Sequence, residues 1–415
     1  MYLKKNFNII IFSLLYSSLL IGFFFGEDLN RGAKPDFYSY IDSAQAFIND
    51  FKYTFFNYNE RNDRHSPVII IILSQLIKLG FPEQLIRFFS LNFLLLSVVF
   101  FYKCLKLAFK NIDKTKLQLF SLVLLISPTF RALSIWPDSR IFGFFFFLVS
   151  LYYFLKFKHK YKKFNYVILN VIFLGVASYL SPNFSVFSIY FFINFLIFYK
   201  QKIEIFYYLF LNLFLAFPAF YYLFILDVFF LNSGNTPGSE SYIFFSISNF
   251  SNKILIILSL LFFYFSPFLI SLRNQIFSNN NLGLIKTIIF ISLYAVSVIF
   301  FDYKIEYTGG GIFFQISNFI FKNNIFFYII CLLAIYIFLI KYSNFNNLLL
   351  ILVLIFSNPQ LTIYHKYFDP LTIILFLTLF DFKIKYYFEN LKNTIYMYSL
   401  YLLYIVLCIY RINFL

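Results

Sequence analysis

Long apolar runs alternate with short polar segments along almost the whole chain. Runs of about 16 to 24 mostly apolar residues can each cross a hydrocarbon layer of about 30 Å as a helix, and about 13 such spans are predicted. The predicted spans cover residues 7–25, 87–105, 117–133, 139–156, 164–180, 183–199, 204–226, 254–271, 286–301, 325–341, 347–357, 367–380 and 394–410. The pattern predicts an all-α, polytopic transmembrane helix bundle.

One long polar segment interrupts this pattern after the first span. It divides the chain into a signal-anchor helix (residues 1–25), a loop with juxtamembrane helices (26–86) and the helix bundle (87–415). Lys4 and Lys5 precede the first apolar run and no small-residue cleavage site comes after it, so we expect the anchor to be retained.

Residues 66–80 decide the topology of the rest of the chain. This stretch is apolar but short, and it carries Gln75 and Lys78, so it either spans the membrane or lies along its surface. Short cytoplasmic loops carry an excess of lysine and arginine. A surface helix at 66–80 places on the cytoplasmic side Lys103, Lys106, Lys110, Lys114, Lys116, Lys156, Lys158, Lys160, Lys162, Lys163, Lys200, Lys202, Lys383 and Lys385. The same choice places on the outer side Asp138, Asp227, Glu240, Asp302, Glu306 and Asp369, together with the acids of the first loop. We therefore interpret 66–80 as a juxtamembrane helix.

Composition narrows the class of protein. The chain of 415 residues is 61% hydrophobic and only 13% charged, which exceeds what any soluble core requires. The net charge of +16 comes from lysines beside apolar spans, so it orients the protein and does not indicate a nucleic-acid partner. The three cysteines, Cys104, Cys331 and Cys408, lie within or at the ends of apolar spans and offer neither a disulfide framework nor a CxxC metal site.

The first loop contains the strongest candidate for chemistry. Pro35 suits the first turn of a helix, and Asp36, Tyr40 and Ala44 then fall on one face at i, i+4 and i+8. Asp36 at the positive end of this helix is favoured as an ionised carboxylate, which can deprotonate an alcohol or hold a cation. The alternative is an acid that only complements the helix dipole.

A second acid, Asp138, lies in a Pro-bounded turn beside Arg140 at the outer end of a predicted span. Charges at a membrane edge are costly, which favours a functional role. The alternative is an Asp138 and Arg140 pair that caps the next helix.

Two groups of cations stand at predicted helix entrances. Arg64 and His65 precede Pro67, and His365 and Lys366 precede Asp369-Pro370. Each group could bind a lipid phosphate or a sugar through charge-assisted hydrogen bonds, but snorkelling interfacial cations look the same in sequence. The run Thr308-Gly309-Gly310-Gly311 lacks the strand and lysine of a phosphate-binding loop, so we interpret it as a turn.

The order and spacing of these features resemble the GT-C superfamily of integral-membrane glycosyltransferases, which includes protein O-mannosyltransferases and the aminoarabinose transferase of lipid A. Asp36, Tyr40 and Ala44 match an Asp-Glu-x-x-Tyr-x-x-x-Ala motif, but Phe37 replaces the second acid. His65-Ser66-Pro67 stands where a Lys-Pro-Pro-like element is common. The resemblance extends weakly to Ser134 through Arg140 and covers roughly the first half of the chain.

The resemblance implies a multi-pass enzyme of the cytoplasmic membrane with its active site on the outer side. It would transfer a sugar, with inversion, from a polyprenyl phosphate to a lipid or glycan acceptor. Membrane lipids would surround the enzyme. On this reading the candidate catalytic residues are Asp36 and Asp138, and the candidate substrate ligands are Tyr40, Arg64, His65, Arg140, His365 and Lys366. A divalent cation is compatible with this chemistry, although Phe37 argues against a two-acid metal site.

Two other functions fit the same sequence. A flippase or transporter of lipid-linked oligosaccharide would normally carry ionisable residues at the membrane midplane and internal repeats, neither of which is evident. A polymerase of surface polysaccharide would share the chemistry and use a lipid-linked glycan as both donor and acceptor.

Overall fold

A computed structural model describes residues 2–29, 31–61, 63–159, 162–199, 202–232, 246–276, 283–304, 309–358, 360–382 and 391–414. These residues form helices and connecting turns, with no strand among them. Outside them lie Thr308, Glu240, Glu306, Lys160, Lys200, Lys383 and Lys385.

The chain divides into two compact units. The first unit contains residues 1–234 and 401–415, and the second contains residues 235–400.

The described residues of the first unit form α-helices joined by short turns. These helices are α1 (Tyr2–Phe25), α2 (Ala33–Asn49), α3 (Phe51–Phe56), α4 (Pro67–Lys78), α5 (Glu83–Leu94), α6 (Leu96–Ala108), α7 (Lys114–Ser121), α8 (Pro128–Ile135), α9 (Ser139–His159), α10 (Phe164–Leu180), α11 (Phe187–Phe198) and α12 (Lys202–Phe220). Shorter 3-10 turns lie at Tyr58–Arg61, Leu122–Ile126, Pro182–Phe184 and Phe230–Asn232, and α12 continues into a π-helix at Tyr221–Ile225.

The second unit is built around its longest helix. Its α-helices are α13 (Ile247–Ile276), α14 (Leu284–Ile299), α15 (Gly311–Ile320), α16 (Ile325–Ile335), α17 (Phe345–Phe356), α18 (Leu371–Thr378) and the first part of α19 (Leu391–Phe414). A π-helix at Tyr336–Lys341 extends α16, and a 3-10 turn occupies His365–Tyr367. α13 packs against α14, α15, α16 and α18. Phe265 meets Phe338, Phe376 and Phe382 in the aromatic core of this unit.

Each predicted span coincides with a helix or a pair of helices, but their lengths differ widely. Among the residues that the structure describes, six helical segments are long and apolar enough to cross a membrane: Phe7–Phe25, Glu83–Ala108, Ser139–His159, Ile203–Ile225, Ile247–Ile276 and Lys392–Arg411. A seventh is the pair Lys114–Ile126 and Pro128–Ile135, bent by 62°. Ser127 and Pro128 cause this break, since Ser127 caps α8 by accepting from the N–H of Phe130 at 3.1 Å. The other predicted spans lie on shorter helices, so a polytopic helical membrane protein is supported while the number of about 13 spans stays a prediction.

The loop at residues 26–86 is largely helical. α4 lies within the predicted surface helix and begins where Ser66 caps the N–H of Val68 ahead of Pro67. It ends at Lys78, and Gly80 two residues later has a φ of +82°, which suits glycine. Its 12 residues are about 18 Å long at 1.5 Å per residue, too short to cross the hydrocarbon layer. α4 instead packs against α2, in a core that includes Tyr40, Ala44, Ile70 and Leu73.

Candidate functional site

The start of α2 carries two carboxylates. Asp28 accepts hydrogen bonds from the backbone N–H groups of Ala33 at 3.3 Å and Lys34 at 3.0 Å, and so caps the helix from outside. Asp36 lies in the first turn, as predicted, and its side chain is half-buried. Asp28 therefore caps the helix, and Asp36 adds a second negative charge near its N-terminus.

Tyr40 is the centre of the candidate site. Its side chain is fully buried, and its hydroxyl donates to Oδ2 of Asp138 at 3.1 Å and lies 3.3 Å from Oγ of Ser139. The ring of His65 meets the ring of Tyr40 edge-on, with centroids 4.9 Å apart. One tyrosine on α2 therefore joins the start of α9 to the turn before α4.

The electrostatics of Tyr40 identify the groups that surround it. Burial raises the pKa of the Tyr40 phenol well above its ordinary value, and the negative charges of Asp138, Asp36 and Asp63 raise that pKa further. Tyr40 consequently stays protonated at neutral pH and acts as a hydrogen-bond donor. The charges of three carboxylates from three separate segments thus act on a single phenol.

Asp138 is fixed on both of its oxygens. Oδ1 accepts from the backbone N–H of Arg140 at 2.7 Å, and Oδ2 accepts from Tyr40. Asp138 is fully buried, whereas the side chain of Arg140 is half-buried. The capping geometry expected as the alternative role is therefore present, and it coexists with the contact to Tyr40.

Asp63 is a member of the site that sequence reasoning missed. It is buried, accepts from the backbone N–H of His65 at 2.9 Å, and receives a longer hydrogen bond of 3.5 Å from Ser43 on α2. Tyr58 donates to the carbonyl oxygen of His65 at 3.0 Å. These contacts hold the turn that carries the half-buried Arg64 and His65. An aspartate two residues before His65 is typical of an Asx turn, which is the signal that could have identified it.

An ion pair beneath the site was also missed. Arg131 forms a bidentate pair with Glu27, with distances of 2.7 and 2.6 Å, and donates to the carbonyl oxygen of Ser18 at 3.1 Å. Nε1 of Trp136, the single tryptophan, donates to the carbonyl oxygen of Glu27 at 3.1 Å. The guanidinium of Arg87 stacks 3.5 Å from the centroid of the Trp136 ring. α1, α5 and α8 are thereby locked together next to the turn that holds Asp138.

The described residues contain no group of three histidine, cysteine, aspartate or glutamate side chains arranged to hold a metal ion. Asp36, Asp63 and Asp138 share Tyr40 as a neighbour but do not form such a group.

His365 and Lys366 belong to the second unit. His365 is hydrogen-bonded through Nε2 to the hydroxyl of Tyr264. Burial lowers the pKa of His365 to about 3, so its imidazole is neutral at physiological pH. The expectation that His365 contributes a cation is therefore not supported. Lys366, half-buried with its ammonium 5.3 Å from the ring centroid of Tyr364, supplies the positive charge of this pair.

The glycine run forms a turn against the same segment. Gly309, Gly310 and Gly311 all have positive φ, and the N–H of Gly310 donates to the carbonyl oxygen of Ile363 at 2.9 Å. A Cβ on Gly309 would collide with that carbonyl. This geometry agrees with the interpretation of the run as a turn.

Comparison of the chain with protein-family models, curated proteins and solved structures returns no match. Any assignment of function therefore depends on the geometry of the first unit. That geometry brings together Asp36, Tyr40, His65 and Asp138 of the predicted set, and Arg64 and Arg140 flank them.

Proposed function

We propose that the protein is a multi-pass membrane glycosyltransferase that uses a polyprenyl-phosphate sugar as donor at the outer face of the cytoplasmic membrane. The observation that carries the proposal is a cluster in which the buried phenol of Tyr40 donates to Asp138 at 3.1 Å and the charges of Asp36 and Asp63 act on the same phenol. The cluster lies where α2 and the turn before α4 meet the start of an apolar helix long enough to span a membrane.

Asp36 is the proposed general base. Asp138 and Asp63 are buried, whereas Asp36 is half-buried and so more accessible to a substrate hydroxyl. A general base must come within hydrogen-bonding distance of the proton that it takes. Accessibility therefore distinguishes Asp36 from the other two carboxylates.

The proposed reaction is a single inverting displacement. The acceptor oxygen forms a bond to the anomeric carbon of the sugar while its proton passes to the carboxylate of Asp36. The bond between that carbon and the phosphate oxygen breaks, and polyprenyl phosphate leaves with the electron pair. Arg64 follows Asp63 in sequence, Arg140 follows the turn of Asp138, both are half-buried, and we propose that they stabilise this negative charge.

Asp138, Tyr40 and Asp63 are proposed as positioning residues. Tyr40 and Asp138 fix α2 against the start of α9, and Asp63 fixes the turn that carries Arg64 and His65. A reacting carboxylate and its counter-charges must be held rigidly for efficient transfer. His365 and Lys366 lie in the second unit, and we assign them no role in the proposed reaction.

The experiment is transfer of label from a radiolabelled polyprenyl-phosphate sugar to membrane acceptors, with wild type, Asp36→Asn and Asp42→Asn. Asp42 lies on the same helix, is exposed, and provides the matched control. We expect Asp36→Asn to lower transfer by about 10²–10⁴-fold, the range typical of general-base catalysis, and Asp42→Asn to retain it.

Equal transfer by wild type and Asp36→Asn would remove Asp36 as the base. No transfer by any variant, with labelled donor moved across the bilayer by wild type, would instead identify a transporter of lipid-linked sugar.

A further inference from the structure

The far end of α9 carries a dense group of lysines that the proposed reaction does not use. Ten lysines lie between residues 103 and 163, where the acids are Asp113 and Asp138. Asp138 belongs to the opposite end of α9, and Asp113 accepts from the N–H of Thr115 as the cap of α7. We name as the lysine collar the described members nearest the ends of α6, α9 and α10: Lys103, Lys106, Lys110, Lys156, Lys158, Lys162 and Lys163.

Ring contacts show that these helix ends coincide. Phe93 meets Phe145 and Phe100 meets Tyr152, so α5 and α6 run parallel to α9. Phe146 meets Phe173 and Tyr153 meets Tyr166, so α10 runs antiparallel to α9. The ends of α6 and α9 and the start of α10 therefore share one end of the first unit.

Two lysines of the collar converge on one aromatic ring. The ammonium groups of Lys103 and Lys156 lie 5.8 and 5.0 Å from the centroid of Tyr152. Lys103 also lies 4.6 Å from the ring centroid of Phe100, and Lys156 lies 5.0 Å from that of Tyr166. Cation–π contacts hold these ammonium groups at the edge of the apolar surface while leaving their N–H groups able to donate.

The surroundings suit a lipid more than a soluble anion. Leu96 and Val99 expose apolar side chains on α6, one to two turns before Lys103. Ile172 and Val176 are similarly exposed on α10. Glu204, half-buried near Tyr199, is the nearby acid outside this segment. Positive charge thus rims a lipid-facing apolar surface, and basic pockets between spans are typical binding sites for anionic headgroups.

We propose that the lysine collar is a binding site for an anionic phospholipid of the cytoplasmic leaflet. Lys103 and Lys156 contact the phosphate and headgroup, and the acyl chains lie along the exposed apolar face of α6. The remaining lysines of the collar add long-range attraction. This site is independent of the proposed transfer reaction.

Binding of fluorescent phosphatidylglycerol and of phosphatidylcholine with the same chains to the delipidated protein in detergent tests the proposal. We expect phosphatidylglycerol to bind at least tenfold more tightly. The variant Lys103→Gln/Lys156→Gln should weaken that binding by about 25-fold, at about fivefold for each lysine near a lipid headgroup. Lys103→Arg/Lys156→Arg should retain it.

The matched control is Lys52→Gln/Lys78→Gln, which makes the same change in net charge on α3 and α4, away from the collar. It should bind phosphatidylglycerol as wild type does. Equal affinity for the two lipids, or an equal loss in the control, would overturn the proposal. Displacement of the lipid by millimolar inorganic phosphate would do the same, because it would indicate a simple anion site.

Discussion

The two ends of α9 use charge in opposite ways. At the first end, Asp138 has both oxygens occupied and is buried with Tyr40. At the other end, Lys156 and Lys158 are half-buried among aromatic rings and other lysines. The helix of 21 residues separates these ends by about 30 Å, which is the thickness of a hydrocarbon layer.

The hydrogen-bonded carboxylate at one end of α9 and the lysines at its other end serve different purposes. Carboxylates held by designated donors keep one geometry, which chemistry requires. Lysines around a lipid-facing surface need only their charge, which orients the chain and attracts anionic headgroups. The helix dipole favours the same arrangement, with the acid at the N-terminus and the cations at the C-terminus.

The two ends of α9 are expected to lie on opposite sides of the membrane, and labelling of cysteines near each end tests this. Single cysteines at Asn57 and Asn111, introduced without the three native cysteines, should respond oppositely to a membrane-impermeant maleimide. Asn57, near the acid end, should be labelled in intact cells, and Asn111, near the lysine end, only after permeabilisation. Because a membrane blocks the reagent, the expected difference is all or none. The same labelling pattern at both positions would refute the topology.

The buried ion pair beneath the acid end should have the largest effect on stability. Arg131→Met or Glu27→Gln should each cost about 3–5 kcal/mol of unfolding free energy, because each leaves an uncompensated charge out of water. The double variant should lose less than the sum of the two. Unfolding in detergent measures these values, with the exposed Glu60→Gln as a control expected to change little. Strict additivity would mean that the two groups do not interact.

Tyr40→Phe tests whether the hydrogen bond from Tyr40 to Asp138 holds α2 against the start of α9. Loss of the hydroxyl removes the donor to Oδ2 of Asp138 and should cost about 1.5–3 kcal/mol, as expected for a hydrogen bond to a charged group. The rate of sugar transfer should also fall, and KM for the donor should change less than kcat. Tyr38→Phe on the exposed face of α2 should leave both stability and transfer near wild type. Equal effects of the two substitutions would contradict a special role for Tyr40.

His365 is a third case, in which burial keeps the imidazole uncharged at neutral pH. Its folded-state pKa of about 3 lies below its unfolded value of about 6.5, so between these pH values the unfolded chain binds a proton that the folded chain does not. Stability should therefore be complete above about pH 6.5 and fall as the pH decreases, by about 2 kcal/mol between pH 7 and pH 5. His365→Gln should flatten this dependence in thermal unfolding. Equal slopes in both proteins would show that His365 titrates normally.

Local patterns predicted the parts of the site that depend on neighbours in sequence. The helix that carries Asp36 and Tyr40, and the cap formed by Asp138, result from spacing within one or two turns. The positions of the helices result from apolar runs, but run length alone does not decide which of them cross the membrane.

The remaining parts depend on contacts between distant segments. Glu27 and Arg131 are 104 residues apart, and the partners of Asp63 become visible only when α2 packs near the turn before α4. The burial of His365 is likewise a tertiary property, set by its contact with Tyr264, 101 residues earlier. No periodicity within one helix reports these contacts, because each partner lies on a different element.

The most direct test of the central claim is the sidedness of transfer that depends on Asp36. Right-side-out membrane vesicles, in which the predicted outer loop faces the medium, would receive labelled polyprenyl-phosphate sugar from outside. We expect labelled acceptor to form in wild-type vesicles and almost no labelled acceptor to form in vesicles with Asp36→Asn. Equal product in both, or product only when donor is loaded inside, would contradict it.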